Sequence, residues 1–324
     1  MQRSRNNIFD IARGIGILLV VIGHCYTKTT KVCCLINGFH MPFFFIISGM
    51  IYGMRENDFD FCFKKKLRSY IIPYLFFEII WFIYLIFMNY RNLSGDIYNS
   101  FFRIVSFKGN IATWFLPCLF ISQFIFSYCI RMKHPKILIL ILFFLGIIIP
   151  DHEYTFLALL RSFVGLGFFS VGYFFHDLFE SNIKILYIGI LFIAYYVLVV
   201  NNGNIEFYIR NFHNSVLFLI DSIIGAYLIL YICRYIDNIK KNRLINASKK
   251  VLCYLGKNSL LIMCLHVFFI EFIRLLDYKL FNCLLPTFGE FEGLIFGVIV
   301  TFWCLLLVPF WNRYLGFLIG KKKN

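Results

Sequence analysis

The chain reads as an all-α, polytopic membrane helix bundle of about ten transmembrane helices with both termini cytoplasmic. Three observations predict this class. Of 324 residues, 60% are hydrophobic and 20% aromatic, against 15% charged; soluble domains are nearer half apolar and about a quarter charged. The apolar residues gather in blocks close to the ~20 residues that carry a helix across a bilayer. The basic residues, finally, fall mostly between alternate pairs of blocks.

The blocks lie at 11–27, 39–54, 69–89, 113–130, 137–150, 159–176, 183–200, 215–233, 255–274 and 293–312. The second opens on the polar "GFHMP", where Pro42 suits the first turn of a helix. The third follows the basic cluster "KKKLR" and contains Glu78, and the fourth begins at Trp114. The fifth is short for a span, so nine or eleven passes stand as alternatives to ten. The eighth contains Asp221 and the ninth His266. Placing the N-terminus inside puts 22 basic residues in inner segments and nine in outer ones, which with Arg13 in the first block account for all 32. That asymmetry is the one cytoplasmic loops show, and an even number of passes returns the C-terminus to the same side.

The longest polar segments, near 91–112 and 234–254, are too short to bury a core alone. Residues 1–324 therefore read as a single transmembrane domain without a separate soluble one. Most of the formal charge of +15 lies on inner loops facing anionic membrane lipids, so it implies no nucleic-acid partner. No small-residue cleavage site follows the first block, which reads as an uncleaved helix. The eleven cysteines show no zinc-ligand spacing, and most lie in apolar blocks, where free cysteine packs as a small hydrophobe. No metal is expected. Asp151, His152 and Glu153 read as a solvated outer loop.

Ionisable side chains at membrane depth cost ~2.5–3.5 kcal/mol each at a helix centre. In "DIARGIGILLVVIGH" (10–24), Arg13 and His24 are eleven residues apart. Eleven steps of a helix return to within about 20° of the start and advance about 16 Å. Both side chains thus share one face, Arg13 nearer the cytoplasm and His24 past the midplane. The structural alternatives are an Arg13 that snorkels to the headgroups or pairs with Asp10, and a His24 that bonds between helices. Lys65 and Arg68 fall on one face at the inner surface, as basic residues at a helix start commonly do. His40 lies at the outer start of the second block, near His24 in depth, and Trp114 at the outer start of the fourth can anchor at the interface or face a sugar ring. Ser48 and Gly49 suit close helix packing. Glu78, on the inner half, suits Arg13 as a counter-charge, and Asp221 can serve Arg13 or orient a histidine.

The first motif, an Arg, ten residues and a His, resembles the first-helix signature of the acyltransferase-3 family of membrane O-acyltransferases. The resemblance continues in "FHMPFFFIISG" (39–49), "FKKKLRSYIIPYL" (63–75), "TWFLPCLF" (113–120) and "LGKNSLLIMCLH" (255–266), in the family's order and over most of the chain. Within the family the chain is most similar to the branch that includes fucose 4-O-acetylase-like proteins. The resemblance implies transfer of an acetyl or other acyl group from cytoplasmic acyl-CoA, with acetyl-CoA as donor co-substrate, to a hydroxyl of an extracytoplasmic saccharide or lipid-linked oligosaccharide. It implies a multi-pass protein of the bacterial cytoplasmic membrane that modifies cell-envelope polysaccharide. On this reading His24 is the general base and Arg13 a functional residue that holds the donor or anchors the polar network. Lys65 and Arg68 match the family's Arg-x-x-Arg with a lysine in first place and meet the anionic end of CoA, while His40 and Trp114 contact the acceptor. His266 also matches a family position. Composition and topology suit a saccharide-intermediate transporter or flippase equally, and the Arg13/His24 spacing with the ordered motifs favours the enzyme.

Overall fold

The structure is a computed structural model that describes residues 7–26, 30–54, 62–88, 93–150, 157–181, 183–239, 242–280 and 291–319. Arg3, Arg5, Lys28, Arg55, Arg91, the acidic loop at 151–153, Lys240, Lys241 and the lysines at 321–323 lie outside the described residues.

Helices dominate, and no strand occurs among the described residues beyond an isolated Glu206–Asn211 bridge. In chain order they are α1 Asn7–Cys25, α2 Lys31–Asn37, α3 His40–Gly53, α4 Phe63–Lys66, α5 Ile72–Met88, α6 Leu93–Val105, α7 Phe115–Cys129, α8 Pro135–Ile148, α9 Leu157–Phe174, α10 His176–Glu180, α11 Ile185–Asn202, α12 Ser215–Asn238, α13 Arg243–Lys257, α14 Ser259–Leu280 and α15 Glu292–Tyr314. Nine segments among the described residues are long and apolar enough to span a bilayer. Two of them join shorter helices: Lys31–Gly53 runs through α2 and α3, and Phe63–Phe87 through α4, a π-helical turn at Leu67–Ile71, and α5.

The fifth expected pass is α8, whose 14 residues fall short of that length. It nonetheless runs antiparallel to α9 along nearly all of it. Lys136 lies over the Phe174 ring at one end, and a Cβ at Gly146 would touch the Leu160 carbonyl at the other. A short helix ending at membrane depth leaves carbonyls without partners. Arg210 answers this at the α8 C-terminus, its guanidinium donating to Gly146 O at 2.6–2.9 Å and to Ile149 O at 2.7 Å. Because α8 covers the return path, α3, α7 and α9 all run the same way: Gly49 meets Phe169, Gly165 meets Phe45, and Ser122 bonds to Ser162. The alternation expected of ten passes is thereby kept.

The sequence-predicted packing role of Gly49 has a geometric basis. A Cβ there would sit 1.9 Å from Phe169 O, and one on Gly172 would sit 2.0 Å from Ile46 O. Two backbones approach this closely only where both helices offer a hydrogen for a side chain. α1 lies between two packed cores. Ile11 and Ala12 join one, with residues of α3, α7, α9 and α12, whereas Ile17, Val20, Val21 and Cys25 join the other, with residues of α5, α14 and α15. Apolar side chains of α8, α11 and α15, such as Ile148, Phe192 and Phe302, face outward, as lipid-facing helices require.

Candidate active site

Where the two cores part along α1, a cavity of about 810 Å³ opens. This is at the upper end of small-molecule sites, which run about 300–1,000 Å³. Arg13 and His24 both line it, so the helical arithmetic that put them on one face describes a shared wall. His40 and Trp114 line it too. Lys65 and Arg68 do not: both are exposed on the start of the third span.

The physical reason lies in the π-helical turn Leu67–Ile71, which changes the angular register just where the α-helical count was applied. Lys66 is the member of the cluster that turns inward, donating from Nζ to Gln123 Oε1 and lying 5.5 Å from the centroid of the Tyr70 ring. Ser69 and Tyr70 reach the cavity. The cation that lines the cavity toward the Arg13 end is Lys257, with Asn258 and Ser259 beside it on the wall. These three stand in the quoted stretch "LGKNSLLIMCLH", so their signal was present although no role was attached to it. They are brought to α1 by a close approach of α13, for a Cβ on Gly256 would lie 1.8 Å from Asp10 O and one on Gly14 would lie 2.1 Å from Leu252 O.

At the other end His24 is the penultimate residue of α1 and open to the cavity, while its neighbour Cys25 is buried in the core. That contrast is the 100° step between adjacent helical residues. The His24 ring packs edge-on against His266, with centroids 5.0 Å apart and planes at 64°. His40 lies close enough to His24 for the charges of the two rings to interact. His40 Nδ1 is bonded to Ile36 O at 3.0 Å, one turn back along the chain. None of the ten cysteines among the described residues is in a disulfide, Cys33 and Cys34 included, and Cys33 accepts from Asn37 Nδ2 at 3.2 Å.

Part of the cavity wall is irregular backbone held by buried polar side chains. Residues 106–114 fold inward after α6, with Phe107 and Gly109 in the left-handed region at φ 57° and 74°. From its depth along the span, Glu78 was the better suited of the two buried acids to counter Arg13. Instead it is fully buried and accepts from Asn110 N at 2.9 Å, Asn110 Nδ2 at 2.9 Å, Ile111 N at 3.4 Å and Thr113 Oγ1 at 2.5 Å. The inward fold of 106–114 lowers this segment to the level of Glu78, which linear counting along the span cannot show. Non-helical backbone survives at such depth only when its N–H groups find partners within the protein. Asp221 is also fully buried, on α12, and does not line the cavity.

Arg161, counted with the outer basic residues from sequence, is likewise fully buried within α9. Its guanidinium donates to the carbonyls of Phe107, Lys108 and Tyr208 at 3.0–3.3 Å and lies over the rings of Trp114 and Tyr208 at 4.8 and 5.1 Å. Trp114 also stacks on Phe207, with centroids 5.8 Å apart, and is only 7% exposed. Its ring is therefore largely engaged by protein. Arg103, Asn110, Glu206 and Tyr208 also line the cavity, and Arg103 donates to the Tyr208 hydroxyl at 2.9 Å. None of these four had a sequence signal, because each sits in or beside a loop without periodicity.

Replacing Glu78 with alanine is expected to destabilise the protein by on the order of 3 kcal/mol or more, since several buried donors lose their acceptor together. Thermal unfolding of the detergent-extracted protein measures this. Glu78→Gln, which keeps one acceptor oxygen, should fall between wild type and alanine.

A comparison with curated proteins and one with solved structures found no match to the chain. A family model described as an acyltransferase domain matches residues 6–311, a range that includes every motif quoted above and all of the cavity lining except Ile319. With its polytopic helical bundle and with the Arg13–His24 wall inside that range, the chain belongs to the acyltransferase-3 family and is a multi-pass membrane acyltransferase.

Proposed function

We propose that the protein transfers an acetyl group from cytoplasmic acetyl-CoA to a hydroxyl of an extracytoplasmic or lipid-linked saccharide, in the cytoplasmic membrane of a bacterium. The observation that carries this reading is one continuous cavity lined by Arg13 and Lys257 toward one end of α1 and by His24, His40 and Arg103 toward the other. A thioester entering from the inner side and a hydroxyl presented from the outer side meet within it.

The donor side suits an anionic molecule with a long polar arm. Arg13 and Lys257 supply positive charge, and Ser69, Asn258 and Ser259 supply hydrogen-bonding groups along the wall. Arg13 is about 16 Å along the axis from His24, so it binds and positions the donor rather than reaching the reacting carbonyl. Lys65 and Arg68, outside the cavity, draw the anionic nucleotide end toward the inner surface.

His24 acts as general base. Its ring takes the proton of the acceptor hydroxyl as the hydroxyl oxygen bonds to the thioester carbonyl carbon. The tetrahedral intermediate collapses, the carbon–sulfur bond breaks, and the departing CoA thiolate receives the proton from the His24 imidazolium. The uncharged imidazole is the form this step needs at the start. With Nδ1 held by Ile36 O, His40 offers Nε2 to a second hydroxyl of the acceptor.

The test uses sealed membrane vesicles containing the protein and labelled acetyl-CoA, which does not cross the bilayer. Inside-out vesicles are expected to place label in the extracted glycan fraction, and right-side-out vesicles only after permeabilisation. Label appearing equally in both without permeabilisation would overturn the assignment of the donor side. No label in either, with saccharide export still dependent on the protein, would replace the enzyme by a transporter.

A further inference from the structure

Building on the acyl-transfer reading, we propose that His266 is the positioning residue for His24: a neutral histidine that holds the base in one tautomer and orientation. It takes the place that a carboxylate fills in many base-orienter pairs.

The argument begins with what His266 can donate. It is fully buried in α14, and its Nδ1 lies 3.2 Å from Ile262 O, one turn back on the same helix. A carbonyl oxygen only accepts, so Nδ1 carries the proton, and Nε2 of the neutral ring is then an acceptor. That nitrogen is buried without a hydrogen-bond partner. A buried acceptor left unpaired costs roughly 1–3 kcal/mol, and a residue serving only as packing would be better replaced by an apolar side chain.

The ring packed against it is His24. An N–H···N bond of about 2.9 Å between two imidazoles sets their centroids about 5 Å apart, and these two are 5.0 Å apart at 64°. A turn of the His24 ring that aims one of its nitrogens at His266 Nε2 makes that bond, and His24 also borders the cavity. Once made, it places the His24 proton on the nitrogen facing His266. The other nitrogen, with its lone pair, is turned toward the cavity, where the acceptor hydroxyl arrives. When His24 takes that proton, the resulting imidazolium keeps a neutral acceptor beside it.

His40 repeats the local device, its Nδ1 bonded to the carbonyl four residues back. It differs in lining the cavity, which leaves it to the substrate. His266 does not line the cavity and acts only through His24.

Three variants in membranes at matched protein level test the proposal, with transfer of label from acetyl-CoA to the glycan fraction as readout. His266→Leu is expected to lower the maximal rate about 30- to 100-fold with the KM for acetyl-CoA within twofold of wild type. His266→Gln, whose Oε1 restores an acceptor, should recover at least a third of the lost factor. In a His24→Ala background, His266→Leu should change the residual rate by less than twofold, because a residue acting through His24 has nothing left to position. Equal losses with leucine and glutamine, or a full His266→Leu loss on top of His24→Ala, would overturn the proposal in favour of a structural role. An unchanged rate in His266→Leu would overturn it as well. Fluorescence size-exclusion profiles identify any variant that fails to fold, in which case His266→Gln, alone and in the His24→Ala background, decides. If wild-type membranes transfer no label, it is the acyl-transfer reading that fails, a result distinct from any of these.

Discussion

Replacing His24 with alanine is expected to reduce acetyl transfer by about 10²–10⁴-fold, the range that a positioned general base contributes, while leaving the protein folded and in the membrane. His24 is open to the cavity rather than packed in the core, so its truncation removes little buried contact. The structure therefore separates chemistry from stability at this position. The measurement is label passing from acetyl-CoA to extracted envelope glycans, compared between membranes that hold equal amounts of wild type and His24→Ala. Label undiminished in the variant would leave the acyltransferase standing and remove His24 from its centre.

Replacing Gly256 with valine is expected to cost both the fold and the activity. The added Cβ would start 1.8 Å from the carbonyl oxygen of Asp10. Both atoms are on or next to backbone, so neither can turn aside, and α1 and α13 must move apart. Overpacking of a tight contact costs about 1–3 kcal/mol, and a clash between two backbones belongs at or above the upper end. The displacement also carries Lys257, Asn258 and Ser259 away from Arg13, opening the Arg13 end of the cavity. The matched control is Gly189→Val on α11, where nothing lies within 4 Å of an added Cβ. The yield of monodisperse detergent-extracted protein and the transfer rate should both collapse for Gly256→Val and stay near wild type for Gly189→Val. Comparable yields for the two variants would mean that the α1–α13 contact is looser than the geometry shows.

The two expectations draw on different kinds of information. His24 stands out along the chain because a histidine eleven residues from an arginine in an apolar block has few reasons to be there. Gly256 does not stand out at all, since a glycine before a lysine at the end of a polar segment looks like a loop. The same division runs through the site. Lys65 and Arg68 were placed on one surface face by α-helical spacing and are both exposed, while Lys66 turns to Gln123, and Ser69 and Tyr70, within the π-helical turn Leu67–Ile71, reach the cavity. Glu78 was placed by depth along its own helix, and its partners came from a segment 32–35 residues further on. Trp114 was placed at an interface, where Arg161 and Phe207 now engage its ring.

By itself, the sequence determined that the chain is a helical bundle in a membrane, roughly where its spans lie, and that Arg13 and His24 share a face. These follow from local physics, because transfer of apolar side chains to lipid and the 3.6-residue helical repeat act within a single segment. Tertiary structure alone decided which side chains meet. The pairing of His24 with His266, the Glu78 anchor beneath residues 110–113 and the approach of Lys257 to Arg13 each join residues dozens to hundreds of positions apart. Lipid is as apolar as the side chains it surrounds, so hydrophobicity does not select between neighbouring helices. That choice falls to close backbone contacts at glycines such as Gly49 and Gly256 and to buried polar groups seeking partners, and both come into being only when the helices are together.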